Sequence, residues 1–182
     1  MTGLDVEAEV KRQLAEILEK IRKIPKGQKV YEGPEGLCFA RDHFYWYDKD
    51  FNEIDPPKKI KGSINLFSYD KASITSLEGS PRVVDGIFDC SLTKITSLEG
   101  CPEKVGESFY CSSTKITSLE WCPREVGGSF SCSNTKITSL EGSPKTVNGY
   151  FICLNTKIAS LKGAPAKIGG INYSIFPKSI SS

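Results

Sequence analysis

Seven cysteines, at positions 38, 90, 101, 111, 122, 132 and 153, and one histidine, His43, are the side chains of this sequence best suited to chemistry. Four of the thiols, Cys90, Cys111, Cys132 and Cys153, recur every 21 residues. Such a column has three uses: metal ligation, disulfide formation, or packing. Metal ligation wants paired spacings such as C-x-x-C with histidine partners, and neither occurs. Disulfides along the column, or between Cys101 and Cys122, suit an oxidising compartment. Yet the cysteine count is odd, and "MTGLDVEAEVKRQLAEILEK" is charged throughout, without the apolar stretch of a secretion signal. The expectation is a reducing, cytoplasmic setting in which the repeated cysteine is a small buried apolar side chain.

Other candidate chemistry is weaker. His43 stands without a nearby nucleophile or second ligand and reads as structural. Asp48, Asp50 and Asn52 occupy places one, three and five of a calcium loop, but Glu53 stands where the sharp turn needs glycine and Lys59 where the bidentate glutamate belongs. A solvated turn is expected there instead. Gly127, Gly128, Gly149, Gly169 and Gly170 belong to repeating corners rather than to a phosphate-binding loop. No general acid or base adjoins a nucleophile, so no catalytic residue, metal or cofactor is expected and the chain is read as non-enzymatic.

What must position these residues is a repeat. Ile74, Ile95, Ile116, Ile137 and Ile158 keep a 21-residue beat, as do Leu77, Leu98, Leu119, Leu140 and Leu161. Pro81, Pro102, Pro123, Pro144 and Pro165 keep it too, and so do Phe88, Phe109, Phe130 and Phe151. A fixed period in this range marks a solenoid whose coils bury their apolar positions against one another. Phe109, Tyr110 and Cys111 alternate as a short strand does, with Phe and Cys inward. An irregular first coil begins at Pro57, "PKKIKGSINLF", with Ile60, Ile64 and Leu66 where later coils carry Val105, Phe109 and Cys111; it is three residues longer than the rest.

The strand segment "GESFYCSSTKI" (Gly106 to Ile116) resembles the leucine-rich repeat family, with Phe109, Cys111 and Ile116 at the fourth, sixth and eleventh signature places. It departs at the first place, which is Gly, and at the ninth, where Thr114 replaces asparagine; Thr93, Thr135 and Thr156 repeat that choice. The wording "TSLEGxPxxVxGxFxC" is similar to short repeats of bacteriophage and giant-virus proteins and of bacterial effector ubiquitin ligases. The resemblance implies a right-handed solenoid with a parallel β-sheet, here of about six coils. It also implies a virus- or phage-encoded factor that engages or inhibits a host protein, such as a defence component.

Four segments are expected. Residues 1–27 hold an amphipathic helix from Asp5 to Ile24, with Val10, Leu14, Ile17, Leu18 and Ile21 on one stripe and Pro25 ending it. Residues 28–56 form a β-hairpin that, with the helix, covers the open core of the first coil; a partner-binding helix is the alternative. Residues 57–174 are the solenoid, and 175–182 a C-terminal cap or tail.

The 182 residues carry a net charge of +2, are 25% charged and contain no apolar run long enough to span a membrane. Lys94, Lys115, Lys136 and Lys157 form one column, and Glu78, Glu99, Glu120 and Glu141 another, a pattern read as a self-compensating face. Function is then sought on the outward, concave strand face. It holds serine at Ser129, Ser131 and Ser133 but apolar or aromatic residues at Tyr150, Ile152, Leu154, Ile171 and Tyr173, with Tyr110 at the margin. Aromatic and aliphatic anchors of that kind suit the centre of a protein interface. Two other uses stay open: pairing of two chains through the same coils, and nucleic-acid binding by the acid-free stretch from Thr156, with Tyr150, Tyr173 and Phe176 as stacking groups.

Overall fold

Strands of two residues are as long as each coil can hold, because corner glycines and serine or threonine turns crowd its 21 residues. The computed structural model describes residues 3–23, 27–66 and 74–169. Its solenoid carries two parallel sheets rather than the one expected. The first stacks β5 (Lys59–Ile60), β7 (Val83–Val84), β9 (Lys104–Val105), β11 (Glu125–Val126), β13 (Thr146–Val147) and β15 (Lys167–Ile168). The second stacks β6 (Ile64–Asn65), β8 (Phe88–Asp89), β10 (Phe109–Tyr110), β12 (Phe130–Ser131) and β14 (Phe151–Ile152). From β5 to β15 the chain makes about five turns; the stretch expected to complete a sixth lies outside the described residues.

Register follows the repeat. Phe88, Phe109, Phe130 and Phe151 pair strand to strand. The irregular first coil pairs Lys59 with Val83 and Ile64 with Phe88, so its three extra residues are absorbed between strands and leave both ladders in step. The Phe rings stack almost parallel at 5.7, 5.6 and 5.1 Å between centroids. Around them the Ile, Leu, Val and Cys columns are buried from Ile74 to Ile158. Each fully buried side chain of this size contributes about 1.5–3 kcal/mol by leaving water.

The corners explain the repeated small polar residues. Thr93, Thr114, Thr135 and Thr156 donate their hydroxyls to the carbonyls of Cys90, Cys111, Cys132 and Cys153 at 2.7–2.8 Å. That closes a turn in which the residue just before each threonine, Leu92, Ser113, Asn134 or Asn155, has the left-handed backbone. Ser76, Ser97, Ser118 and Ser139 likewise accept the N–H of the residue two further on, at 3.0–3.1 Å.

The N-terminal end departs from expectation in two ways. In place of one hairpin there is a four-stranded antiparallel meander of β1 (Gln28–Gly33), β2 (Gly36–Ala40), β3 (Phe44–Tyr47) and β4 (Glu53–Ile54). It continues the core: Phe44 lies 6.2 Å from Phe88, and Trp46 donates Nε1–H to the Gly79 carbonyl at 2.8 Å. The helix α1 (Gly3–Lys23) does not share this work. Val6, Val10, Leu14, Ile17 and Leu18 each remain about half exposed, so these five residues of the stripe cover no core.

Candidate functional site

The outer face of the second solenoid sheet is ruled into rows by the ladder. Asp89, Tyr110, Ser131 and Ile152 stand in register across β8, β10, β12 and β14. Tyr150, Ile152 and Leu154 alternate with buried Phe151 and Cys153, so neighbouring anchors stand about 7 Å apart along the strand. Tyr110 lies two strands away, about 10 Å across the sheet from Ile152. Tyr150 is 41% and Leu154 38% exposed, while Ile152 and Tyr110 are half-buried. The structure therefore brings four of the six expected residues to one face. Ile171 and Tyr173 lie outside the described residues.

The serines of this face are not mere absences of bulk. Ser91, Ser108, Ser129 and Ser133 accept the backbone N–H of Ser112, Ser129, Tyr150 and Leu154, each one turn further on, at 3.0–3.2 Å. Two-residue strands leave the flanking N–H groups short of ladder partners, and a hydroxyl from the previous turn supplies them. Ser112 and Ser131 are also bonded to each other at 2.8 Å. Among the described residues this serine ladder ends on Tyr150 and Leu154, where apolar side chains take over.

The thiols stand apart from any reactive arrangement. All seven cysteines are free, Cys101 and Cys122 included. Cys90 and Cys111 donate to the carbonyls of Tyr110 and Ser131, at 3.3 and 3.4 Å. Burial pushes the Cys90, Cys111 and Cys132 thiols well up, and that of Cys153 up to about 12, so they stay protonated at neutral pH. Among the described residues no three His, Cys, Asp or Glu side chains are grouped to hold a metal. The Asp48 carboxylate is used by its own turn, accepting the Asp50 and Asn52 N–H groups at 2.8 and 2.9 Å. His43 lies 3.4 Å from Asp42. Desolvation acts to raise the Asp42 carboxyl, but hydrogen bonds from Tyr45 and Arg41 outweigh it and hold the group at about 2.

Of the expected charge columns only Glu141 enters an ion pair between turns among the described residues. Lys94, Lys115, Lys136 and Lys157 are all exposed. The ion pairs between turns instead join Lys59 to Asp85, Arg82 to Glu103, Lys104 to Glu125 and Lys162 to Glu141. Pairs this exposed contribute little to stability.

One residue of functional interest escaped the repeat analysis. In "SLEWCP" Trp121 occupies the corner that Gly79, Gly100, Gly142 and Gly163 fill elsewhere, and it keeps their left-handed backbone at φ 67°. A bulky side chain is rare in that region, and this one is 60% exposed. It projects at a groove of about 1060 Å³ that runs along the corners and includes Arg82, Glu103, Arg124 and Lys145. The signal was legible as the one break in the glycine column. Trp121→Gly is expected to change stability by no more than about 1 kcal/mol. Relief of the left-handed strain, about 1–2 kcal/mol, is offset by glycine's greater unfolded-state freedom and by lost contacts. Urea unfolding checks this, and a loss above about 3 kcal/mol would show that the fold needs the indole.

No family model matches the chain, and no curated protein and no solved structure matches it. No helix among the described residues is long and apolar enough to cross a membrane.

Proposed function

We propose that this chain is a non-enzymatic protein-binding module of the leucine-rich repeat type, a right-handed solenoid completed by a sixth coil. Its partner is taken up on the outward face of the last coils. The observation that carries this reading is the change along one sheet face from hydrogen-bonded serines to Tyr150, Ile152 and Leu154. A soluble surface gains nothing from such a patch unless something covers it. Ile171 and Tyr173 extend the patch by sequence, Tyr110 forms its margin, and Trp121 offers a second contact at the coil corner. The biological setting is a cytoplasmic, virus- or phage-encoded factor directed at a host protein, and it rests on the resemblance of the repeats.

The test is affinity capture from host lysate with the wild type and with Tyr150→Ala/Ile152→Ser, followed by binding measurements on the captured protein. The double variant is expected to keep its melting temperature, because neither side chain belongs to the Phe or Cys column. Its binding should weaken by about 1–4 kcal/mol where either residue is a hot spot. Unchanged binding at unchanged stability removes the site. Binding of single-stranded oligonucleotides that falls steeply with salt would favour the nucleic-acid alternative.

A further inference from the structure

The helix α1 has a second, independent message. Val10, Leu14 and Ile17 follow one another at spacings of four and three, with Val6 and Leu18 beside them, the seam of a helix that packs lengthwise on another helix. All five are 49–56% exposed, so the seam is unused in the single chain.

The charges indicate what covers it. Arg12 is bonded to Glu9 and Glu16, both at 2.7 Å, so the polar side mixes signs and lacks the basic character suited to an anionic membrane surface. Along the axis, however, the signs separate. Residues 3–10 hold Asp5, Glu7 and Glu9 and no base, whereas residues 20–23 hold Lys20, Arg22 and Lys23 and no acid, with Lys11, Arg12, Glu16 and Glu19 mixed between them. A second copy laid antiparallel sets acidic start against basic end at both ends and opposes the two helix dipoles favourably. A parallel copy sets like on like.

We propose that α1 joins two copies of this chain through an antiparallel pairing of this stripe. Two such stripes bury roughly 800 Å² in total, about half a standard stable interface, the size of a weak, reversible pairing.

Sedimentation of the full chain from low to high micromolar concentration is expected to show the mass rising from one chain to two. Leu14→Glu/Ile17→Glu should remain a single chain throughout, with the solenoid's melting temperature unchanged because α1 does not enter the core. Arg12→Ala, on the polar side, should dimerise like the wild type. A wild type that stays monomeric, including one that instead binds phosphatidylserine vesicles as a monomer, overturns the proposal. So does a Leu14→Glu/Ile17→Glu variant that dimerises undiminished, which would place the contact elsewhere, for instance on the last coils. Amine cross-linking of mixed light and heavy-isotope chains reads the orientation. Because the stripe is centred near Arg12, an antiparallel partner sets the two Lys23 positions about 30 Å apart along the axis and a parallel one sets them side by side. Predominant inter-chain Lys20–Lys20 and Lys23–Lys23 links therefore overturn the antiparallel pair, and their absence beside Lys11–Lys11 links supports it.

Discussion

Phe130→Ala is expected to lower the unfolding free energy by about 3–5 kcal/mol, the range for emptying a well-packed aromatic site. Phe130 is fully buried in the middle of the stack, with Phe109 at 5.6 Å on one side and Phe151 at 5.1 Å on the other. Removing it leaves a ring-sized gap whose walls belong to two neighbouring turns. Those walls are backbone-locked by β10, β12 and β14, so they cannot close around the gap as a loop might. In a solenoid, stability is carried by each turn and by its interfaces with its neighbours, so a single residue that serves two interfaces has a disproportionate effect. Phe130→Leu should recover most of the loss, leaving a deficit of about 1–1.5 kcal/mol. Urea titration followed by circular dichroism gives both numbers. A Phe130→Ala loss below about 1.5 kcal/mol would mean that the Phe column is not what holds the turns together.

Much of this arrangement was legible because a repeat tells core from surface by identity rather than by hydrophobicity alone. Phe109, Cys111, Ile116 and Leu119 return unchanged in coil after coil while Tyr110 and Ser112 give way to others, and the first four are fully buried. The same reasoning could not see the first solenoid sheet. Its strands show one constant residue each, Val105 or Val126, beside an outward position that is Lys104 in one coil and Glu125 or Thr146 in the next. Two residues with one apolar member carry no measurable period. The strand β1 was missed for a related reason: in "QKVYEG" only Tyr31 is buried. Periodicity also names the apolar side of α1 without naming its occupant, so a covering role was assigned that the meander alone performs.

The candidate face shows a different limit. Its serines read as places where bulk is not needed, since side-chain volume is what a repeat comparison measures. Their hydroxyls in fact complete the backbone bonding of the next turn, as Ser129 does for Tyr150. Substituting Ser129 by an apolar residue to enlarge the patch would therefore remove an acceptor as well as add surface. The contrast between Ser131 and Ile152 in one register row remains the reason to look for a partner at the last coils.

Trp46→Ala is expected to be as damaging as Phe130→Ala, again by about 3–5 kcal/mol, but at the other end of the molecule. The indole is 1% exposed, lies 5.5 Å from Tyr31, and donates to the Gly79 carbonyl. Gly79 is the first described left-handed glycine corner of the solenoid, so this hydrogen bond fastens the meander to the solenoid where the repeat has no preceding coil of its own kind. Beside it Phe44 donates its N–H to the Glu78 carbonyl at 3.0 Å and sets its ring toward Phe88, which places both contacts on the same seam. Trp46→Phe would keep much of the packing and lose the hydrogen bond, at a cost of about 1–3 kcal/mol for the carbonyl left without its donor. The two tryptophans make the experiment direct. In a Trp121→Gly background the only indole left is the buried Trp46, so its emission reports the meander while far-ultraviolet dichroism reports the whole chain. Coincident transitions are expected, because the meander and the first turns share one core. If Trp46 becomes exposed at a denaturant concentration where the solenoid signal is still native, the meander is a separately folding appendage and the first coil stands without it.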